Sequence, residues 1–252
     1  MQASEVVEMA TPEMHQKPQQ IASWGWLVGF LLIGAGVVAM GFLAQNAPAG
    51  SAGTGSAGQL AGHGSAIKIY LTVGLMDWAL LYYCWTAVHG WGGNLATLSG
   101  GRWTSWKSVA VDMGIALPFW VLWECAAWGV HLLLGPGTAK TVDSLLPQSL
   151  LEIVVWIGVS ITAGICEELA FRGFLQRQFH ALSGNIVVAV LAQGLVFGLF
   201  HAYQGWQNVL VISVLGVLYG MLAAWRRNLR VNIITHAWSD IWGGWLQLLF
   251  FR

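Results

Sequence analysis

The sequence predicts an all-α polytopic membrane protein, a transmembrane bundle of about seven helices within a range of six to eight. Composition is the first observation: 56% of the 252 residues are hydrophobic and only 9% are charged, whereas a soluble domain carries about 25% charged residues. The second is that the apolar residues form runs of about 20, the length that crosses a bilayer as a helix. The formal net charge of zero provides no basic face for nucleic acid.

The chain divides into a short tail and one membrane domain. Residues 1–20 are predicted to be a disordered polar tail, and residues 21–252 a single transmembrane domain. The first apolar run, 21–44, is longer than the apolar core of a signal peptide and is predicted to be a retained helix. Residues 45–66, rich in Gly, Ala and Ser, are predicted to be a flexible linker. Further helices are predicted at 67–90, 108–134, 149–172, 184–203, 205–225 and 231–251.

The basic residues predict the orientation in the membrane. With seven crossings, eight Lys and Arg side chains lie on the side of the N-terminus and three on the other side. Because Lys and Arg gather in cytoplasmic loops, we expect a multi-pass protein of the plasma membrane with a cytoplasmic N-terminus.

Ionisable residues within the spanning segments concentrate towards the C-terminal half, so residues 149–251 are predicted to hold the catalytic helices. Each such residue costs about 2.5–3.5 kcal/mol on insertion. Glu168 lies one turn before Arg172, where an ion pair can form. Glu167 has no such partner nearby in the sequence and is the candidate general base. The alternative is that both glutamates cap a helix end at the membrane surface.

Two histidines and an aspartate complete the candidate set. His201 ends the fifth segment, and His236 and Asp240 lie one turn apart on one face of the seventh. Asp240 either fixes the orientation of His236 or, if protonated, donates a hydrogen bond itself. The alternatives are an interfacial histidine and a buried polar pair that joins helices. With two glutamates and an arginine, these groups suffice to activate a water and stabilise an oxyanion.

The order and spacing of these residues resemble the CAAX protease and bacteriocin-processing family, also called ABI proteins, which includes the type II CAAX prenyl endopeptidases. Three ordered motifs mark that family: Glu-Glu-x-x-x-Arg, Phe-x-x-x-His, and His-x-x-x-Asn or Asp. This chain has them at Glu167 to Arg172, Phe197 to His201, and His236 to Asp240. The resemblance covers roughly residues 150–245.

The resemblance implies an intramembrane endopeptidase that cleaves a membrane-associated protein or peptide. Under it, Glu167 and His201 would activate the attacking water, Glu168 and Arg172 would hold the geometry, and His236 with Asp240 would stabilise the oxyanion. Prenyl-protein members typically have Asn at the position of Asp240. This difference weakens the case for prenylated CAAX proteins as the substrate. The candidate substrates are a pheromone or bacteriocin precursor, a membrane regulator and a lipidated protein.

No cofactor is expected, and zinc bound by two Glu and two His is the runner-up. A His-Glu-x-x-His motif, which would favour zinc, is absent from the sequence. Two other functions stay open: a non-catalytic membrane scaffold or immunity protein of the same fold, and a proton-coupled transporter, since buried Glu, His and Asp also build proton relays. Structural roles, with the lining of a substrate cavity as the alternative, are assigned to Asp77, Asp112, Glu124, His131 and Glu152.

The depth of the predicted site contains a conflict. The Glu-Glu-x-x-x-Arg segment from Glu167 to Arg172, the acidic motif, ends the fourth segment on the basic side. The site is therefore predicted to open towards the cytoplasmic half of the bilayer. The fifth segment runs the opposite way and places His201 at the far side. One shared site would require different helix limits, an eighth helix or a re-entrant segment.

Overall fold

The computed structural model describes residues 18–45, 63–101, 103–135 and 146–250. Most of the predicted tail and most of the predicted linker lie outside the described residues. The regular structure within these ranges is helical: α1 (Trp24–Gln45), α2 (His63–His89), α3 (Leu95–Ser99), α4 (Trp106–Leu134), α5 (Leu150–Glu167), a π-helix (Glu168–Leu175), α6 (Gln176–Ser183), α7 (Ile186–Phe200), a 3-10 turn (Ala202–Gln204), α8 (Trp206–Arg226) and α9 (Arg230–Phe250).

The helices confirm an all-α polytopic bundle. Among the described residues, five helical stretches are long and apolar enough to cross a membrane: Trp24–Leu43, Ala66–His89, Trp106–Leu134, Leu150–Ser183 and Trp206–Arg226. The other two predicted segments are α7, a shorter apolar helix, and α9, which carries His236 and Asp240. Large apolar side chains point outward, among them Leu75 and Leu133, which are 75% and 86% exposed, as contact with lipid requires.

The predicted end of the fourth segment at Arg172 is wrong. α5, the π-helix and α6 form one continuous stretch of 34 residues, Leu150–Ser183. A capping box between Ser149 and Glu152 begins it, and Gly184, in the left-handed region at φ 68°, ends it. The acidic motif therefore lies midway along a long helix, and the predicted position at its cytoplasmic end is also wrong.

The turn at Gly184 removes the conflict over depth. Glu167 and His201 each lie 17 residues from Gly184, on opposite sides of it. Because the helix that ends at Ser183 and α7 form an antiparallel pair, equal distances from the turn bring the two residues to the same level. An extra helix is not needed to place them in one site.

Glycines set the close helix crossings around the site. A Cβ on Gly216 of α8 would lie 2.7 Å from the Cα of Gly194 on α7. Each of these glycines begins a Gly-x-x-x-Gly motif, Gly194 to Gly198 on α7 and Gly216 to Gly220 on α8, a spacing that allows helices to approach closely. A Cβ on Gly164 of α5 would lie 2.9 Å from the backbone nitrogen of Ala237 on α9. This second crossing places His236 beside the acidic motif.

A buried carboxylate ties the connections at one end of the bundle together. Asp112 of α4 accepts hydrogen bonds from the Trp103 indole at 2.8 Å, from Arg226 at 2.7 Å and from Arg230 at 2.8 Å. The structural role predicted for Asp112 is confirmed. The connections after the second and sixth predicted segments thus lie at the same end, as the count of basic residues assumes; the side of the membrane that this end faces remains a prediction.

Candidate active site

The site is built on the π-helix, which begins at Glu168. Wider turns of this kind occur frequently at functional sites, and here all residues of Glu168–Leu175 are buried. The Arg172 guanidinium donates from Nη1 to Glu168 Oε1 at 2.8 Å, and both side chains are fully buried. The ion pair predicted from their spacing is confirmed.

Glu168 is the hub of the buried polar network. Its Oε1 also lies 2.8 Å from Nδ1 of His236, and its Oε2 accepts from the Asn232 amide at 3.1 Å. The same Asn232 amide donates to the backbone carbonyl of Tyr219 at 2.8 Å. A carboxylate can stay charged in an apolar interior only with such compensation. Glu168 is therefore suited to holding the site's shape.

His236 is oriented by Glu168 rather than by Asp240. The Asp240 Oδ2 lies 3.7 Å from Nε2 of His236, which is too long for a hydrogen bond, so the expectation that Asp240 fixes this ring is wrong. The Tyr219 ring stacks on the imidazole with centroids 5.5 Å apart. With Nδ1 engaged by Glu168, the free Nε2 faces Asp240 and the Oε2 of Glu167.

Glu167 presents a carboxylate oxygen that is ready to accept a proton. Its Oε2 is buried and receives no hydrogen bond from any protein group in the described part of the chain. That oxygen lies 3.8 Å from Nε2 of His236. The Glu167 carboxylate, a proton acceptor, and the His236 imidazole, a potential proton donor, therefore face each other without a direct hydrogen bond between them. The pair can act on a group placed beside both.

His201 joins the site through Phe197. Its Nδ1 lies 2.9 Å from the Phe197 carbonyl, and because a carbonyl only accepts, Nδ1 carries the proton and Nε2 is the acceptor in the neutral ring. The Phe197 ring centroid is 4.9 Å from that of His201 and 6.0 Å from that of His236. The Arg172 guanidinium lies 4.2 Å above the same ring. Phe197 is thus the common packing surface for both histidines.

The structure brings the six predicted residues to one region. Direct contacts or short separations connect Glu167, Glu168, Arg172, His236 and Asp240, and Phe197 links His201 to them. Their catalytic roles remain predictions. The described residues contain no group of three or more His, Cys, Asp or Glu arranged to hold a metal ion.

Sequence reasoning missed three groups at the site. Asn232 lies one turn before His236, a spacing that could have indicated a shared face. Trp156 donates its indole N–H to the backbone carbonyl of Asp240 at 2.9 Å. Asp77 of α2, which was assigned a structural role, interacts electrostatically with the carboxylates of Glu167 and Asp240 and with His236. No pattern within α2 could have indicated that its aspartate faces α5 and α9.

One comparison with known proteins identifies a related family. Residues 149–242 match the family model of the type II CAAX prenyl endopeptidase Rce1-like proteins. All three motifs lie within the matched segment, so the resemblance is confirmed, and α1–α4 lie outside it. The match supports a CAAX-type intramembrane protease fold in general for this segment. Neither a curated protein nor a solved structure matches the chain.

Proposed function

From the family match and the site geometry, we propose that this protein is an intramembrane endopeptidase that hydrolyses a membrane-associated protein or peptide with a Glu/His-activated water. The observation that carries the proposal is the position of Glu167. Its Oε2 lies 3.8 Å from Nε2 of His236 and has no protein hydrogen-bond donor among the described residues. A free buried base beside an oriented imidazole is what water activation requires.

In the proposed reaction, Glu167 removes a proton from water while the Nε2 of His201 helps to orient it. The water oxygen attacks the carbonyl carbon of the scissile peptide bond and forms a tetrahedral oxyanion. The C–N bond then breaks, and Glu167 returns its proton to the leaving amine. One water is consumed, and a carboxyl and an amino terminus are produced.

The oxyanion is assigned to His236. With protons on both nitrogens, its ring donates from Nδ1 to Glu168 and from Nε2 to the oxyanion. Arg172 compensates the charge of Glu168, so the anchor of the ring is held in place before the reaction begins. An ionised Asp240 has no proton to donate, and in this proposal it interacts electrostatically with the protonated ring.

The identity of residue 240 also affects which substrate class we propose. The matched family is described by its action on prenylated CAAX proteins, but its prenyl-protein members typically have Asn at this position. We therefore propose a membrane-associated peptide or protein as the substrate class, with prenylation as a variable to be tested.

The test is cleavage of membrane-anchored reporter peptides, with and without a prenyl group, by purified protein in nanodiscs. Glu167→Ala and His201→Ala are each expected to lower the cleavage rate by at least about 100-fold, the usual contribution of a general base. Glu124→Gln and His180→Ala change the same residue types outside the site and are expected to cleave at the wild-type rate. Parallel samples contain a metal chelator.

The outcomes separate the open alternatives. Undiminished cleavage in both site variants would contradict the proposed mechanism. Loss of wild-type activity with chelator, restored by zinc, would replace it with a zinc mechanism. A wild type that cleaves no reporter would favour the non-catalytic scaffold.

A further inference from the structure

Helix α2 lies outside the matched segment, yet it packs directly along α5. The rings of Tyr70 on α2 and Trp156 on α5 meet edge to face with centroids 5.3 Å apart. One turn further along α2, a Cβ on Gly74 would lie 3.1 Å from the Val159 side chain. Both contacts advance in the same direction along the two helices. The next inward turn of α2 carries Asp77 towards the acidic motif.

The Asp77 side chain is buried at this position, and one of its two carboxylate oxygens has no hydrogen-bond partner among the described residues. Its exposed fraction is 9%, and its Oδ2 accepts no hydrogen bond from any described protein group. An unsatisfied buried acceptor is destabilising, and an aspartate in a spanning helix usually has a functional reason. Asp112, the structural aspartate of α4, has three donors by contrast.

The groups that interact electrostatically with Asp77 come from three other elements. They are Cys166 and Glu167 from α5, Tyr203 from the 3-10 turn, and His236 and Asp240 from α9. Arg172, the nearby cation of the acidic motif, is engaged by Glu168. Asp77 therefore faces the candidate active site.

Asp77 Oδ2 and Glu167 Oε2 are both buried carboxylate oxygens without a protein donor among the described residues, and the two carboxylates interact electrostatically. A water molecule has two hydrogens and can donate one to each oxygen. We propose that Asp77 is a positioning residue that orients the attacking water together with Glu167. This inference rests on the proposed function and extends it, because it adds α2 to a centre otherwise built from the matched segment.

In this arrangement the water donates to both carboxylates and accepts from Nε2 of a His201 ring that carries protons on both nitrogens. The remaining lone pair of the water is directed at the carbonyl carbon. Glu167 takes the proton, and Asp77 holds the second hydrogen and transfers nothing. Loss of Asp77 therefore affects the chemical step more than the binding of substrate, since the substrate's contacts with the rest of the site are unchanged.

Asp77→Asn keeps the size of the side chain and one carbonyl acceptor but removes the carboxylate. We expect kcat to fall by about 10- to 100-fold, as misplacement of a reacting group does, with KM within about twofold of the wild type and no loss of thermal stability. Asp112→Asn is the control, since it removes a carboxylate that is also buried but is paired. It is expected to lower the unfolding temperature and to retain kcat. An Asp77→Asn variant with wild-type kcat would overturn the inference.

A second measurement does not need turnover. We expect the infrared carboxyl band that Asp77→Asn removes to shift in Glu167→Gln and to stay in place in Asp112→Asn. A band that is unaffected by Glu167→Gln would overturn the inference whatever the reporters show. A shifted band in a protein that cleaves no reporter would support the Asp77–Glu167 pair and contradict the proposed function alone.

Discussion

At the scale of single residues, the buried charge of Glu168 is balanced by three groups on two helices. Arg172 comes from the π-helix, and Asn232 and His236 come from α9. Since Arg172 is also fully buried, water cannot solvate either member of the ion pair if its partner is removed. A buried pair of this kind is costly to break from one side, because the remaining charge is left without compensation.

Glu168→Gln is therefore expected to destabilise the fold by about 3–5 kcal/mol, the usual cost of removing one partner of a buried ion pair. The measurement is thermal unfolding of the purified protein in detergent, with Glu124→Gln as the control on another spanning helix. The double variant Glu168→Gln with Arg172→Met is expected to recover part of the loss, because it leaves no unpaired buried charge. Additive losses in the double variant would contradict this account of the network.

The sequence could predict the contacts that lie within one turn and not those that join distant helices. Glu168 and Arg172 are four residues apart, so helix geometry alone places them together. The bonds from Glu168 to His236 and Asn232 span 68 and 64 residues and depend on the crossing of α5 and α9. For the same reason, the prediction joined His236 to Asp240, its neighbour in sequence, when the structure joins it to Glu168.

At the scale of helices, hydropathy located the segments but misjudged where charge lies along them. A charged motif after an apolar run predicted a helix end at the membrane surface, yet the helix continues to Ser183 and the charges are paired in its middle. Composition cannot distinguish a charge solvated at the surface from one neutralised by a distant helix. The Gly-x-x-x-Gly spacing in α7 and α8 is a better guide to helix position, because close approach depends directly on the missing Cβ.

The crossing of α7 and α8 also supports the site. The carbonyl of Gly216 accepts from the Gln193 amide at 2.7 Å and from Arg172 at 3.4 Å. Gly216→Val is expected to force the helices apart, to destabilise the protein by about 1–3 kcal/mol as overpacking does, and to lower activity by displacing Arg172. Thermal unfolding and reporter cleavage measure the two effects.

Gly158→Ala is the matched control for that substitution. Gly158 lies on α5, and a Cβ there would meet nothing within 4 Å. Alanine also has the higher helix propensity, so this variant is expected to be as stable as the wild type or more stable. Equal unfolding temperatures for Gly216→Val and the wild type would show that the crossing tolerates a larger separation.

At the scale of the whole molecule, the helices outside the matched segment are joined to those within it by polar contacts as well as by packing. Asp112 of α4 binds Arg226 and Arg230, and the Gln178 amide of α6 donates to the Ala22 carbonyl just before α1 at 2.8 Å. Contacts at one end also join α3 to the α8–α9 turn, where Leu229 N–H donates to the Ser99 carbonyl at 2.9 Å. The N-terminal helices are therefore part of the same packed bundle that holds the candidate site.

This arrangement makes the orientation of the bundle testable with two single cysteines. Asp112 with its donors Trp103, Arg226 and Arg230 forms the Asp112 cluster. Thr104 lies in the connection beside this cluster, and Gln148 lies just before α5; both are exposed. Thr104 follows the second predicted helix and Gln148 the third, so the two connections lie on opposite sides of the membrane. The excess of Lys and Arg on the side of Thr104 predicts that this side is cytoplasmic.

In intact cells, a membrane-impermeant maleimide is expected to label Gln148→Cys, and to label Thr104→Cys only after the membrane is opened. Both are made with Cys125→Ala, because Cys125 is the exposed native cysteine, and the Cys125→Ala protein alone is the control. The reverse labelling pattern would place the N-terminus outside the cell. Labelling of both positions from the same side would contradict the number of crossings between them and so the arrangement of α4. The expected pattern would place the Asp112 cluster at the cytoplasmic end and the acidic motif, midway along its 34-residue helix, near the centre of the bilayer.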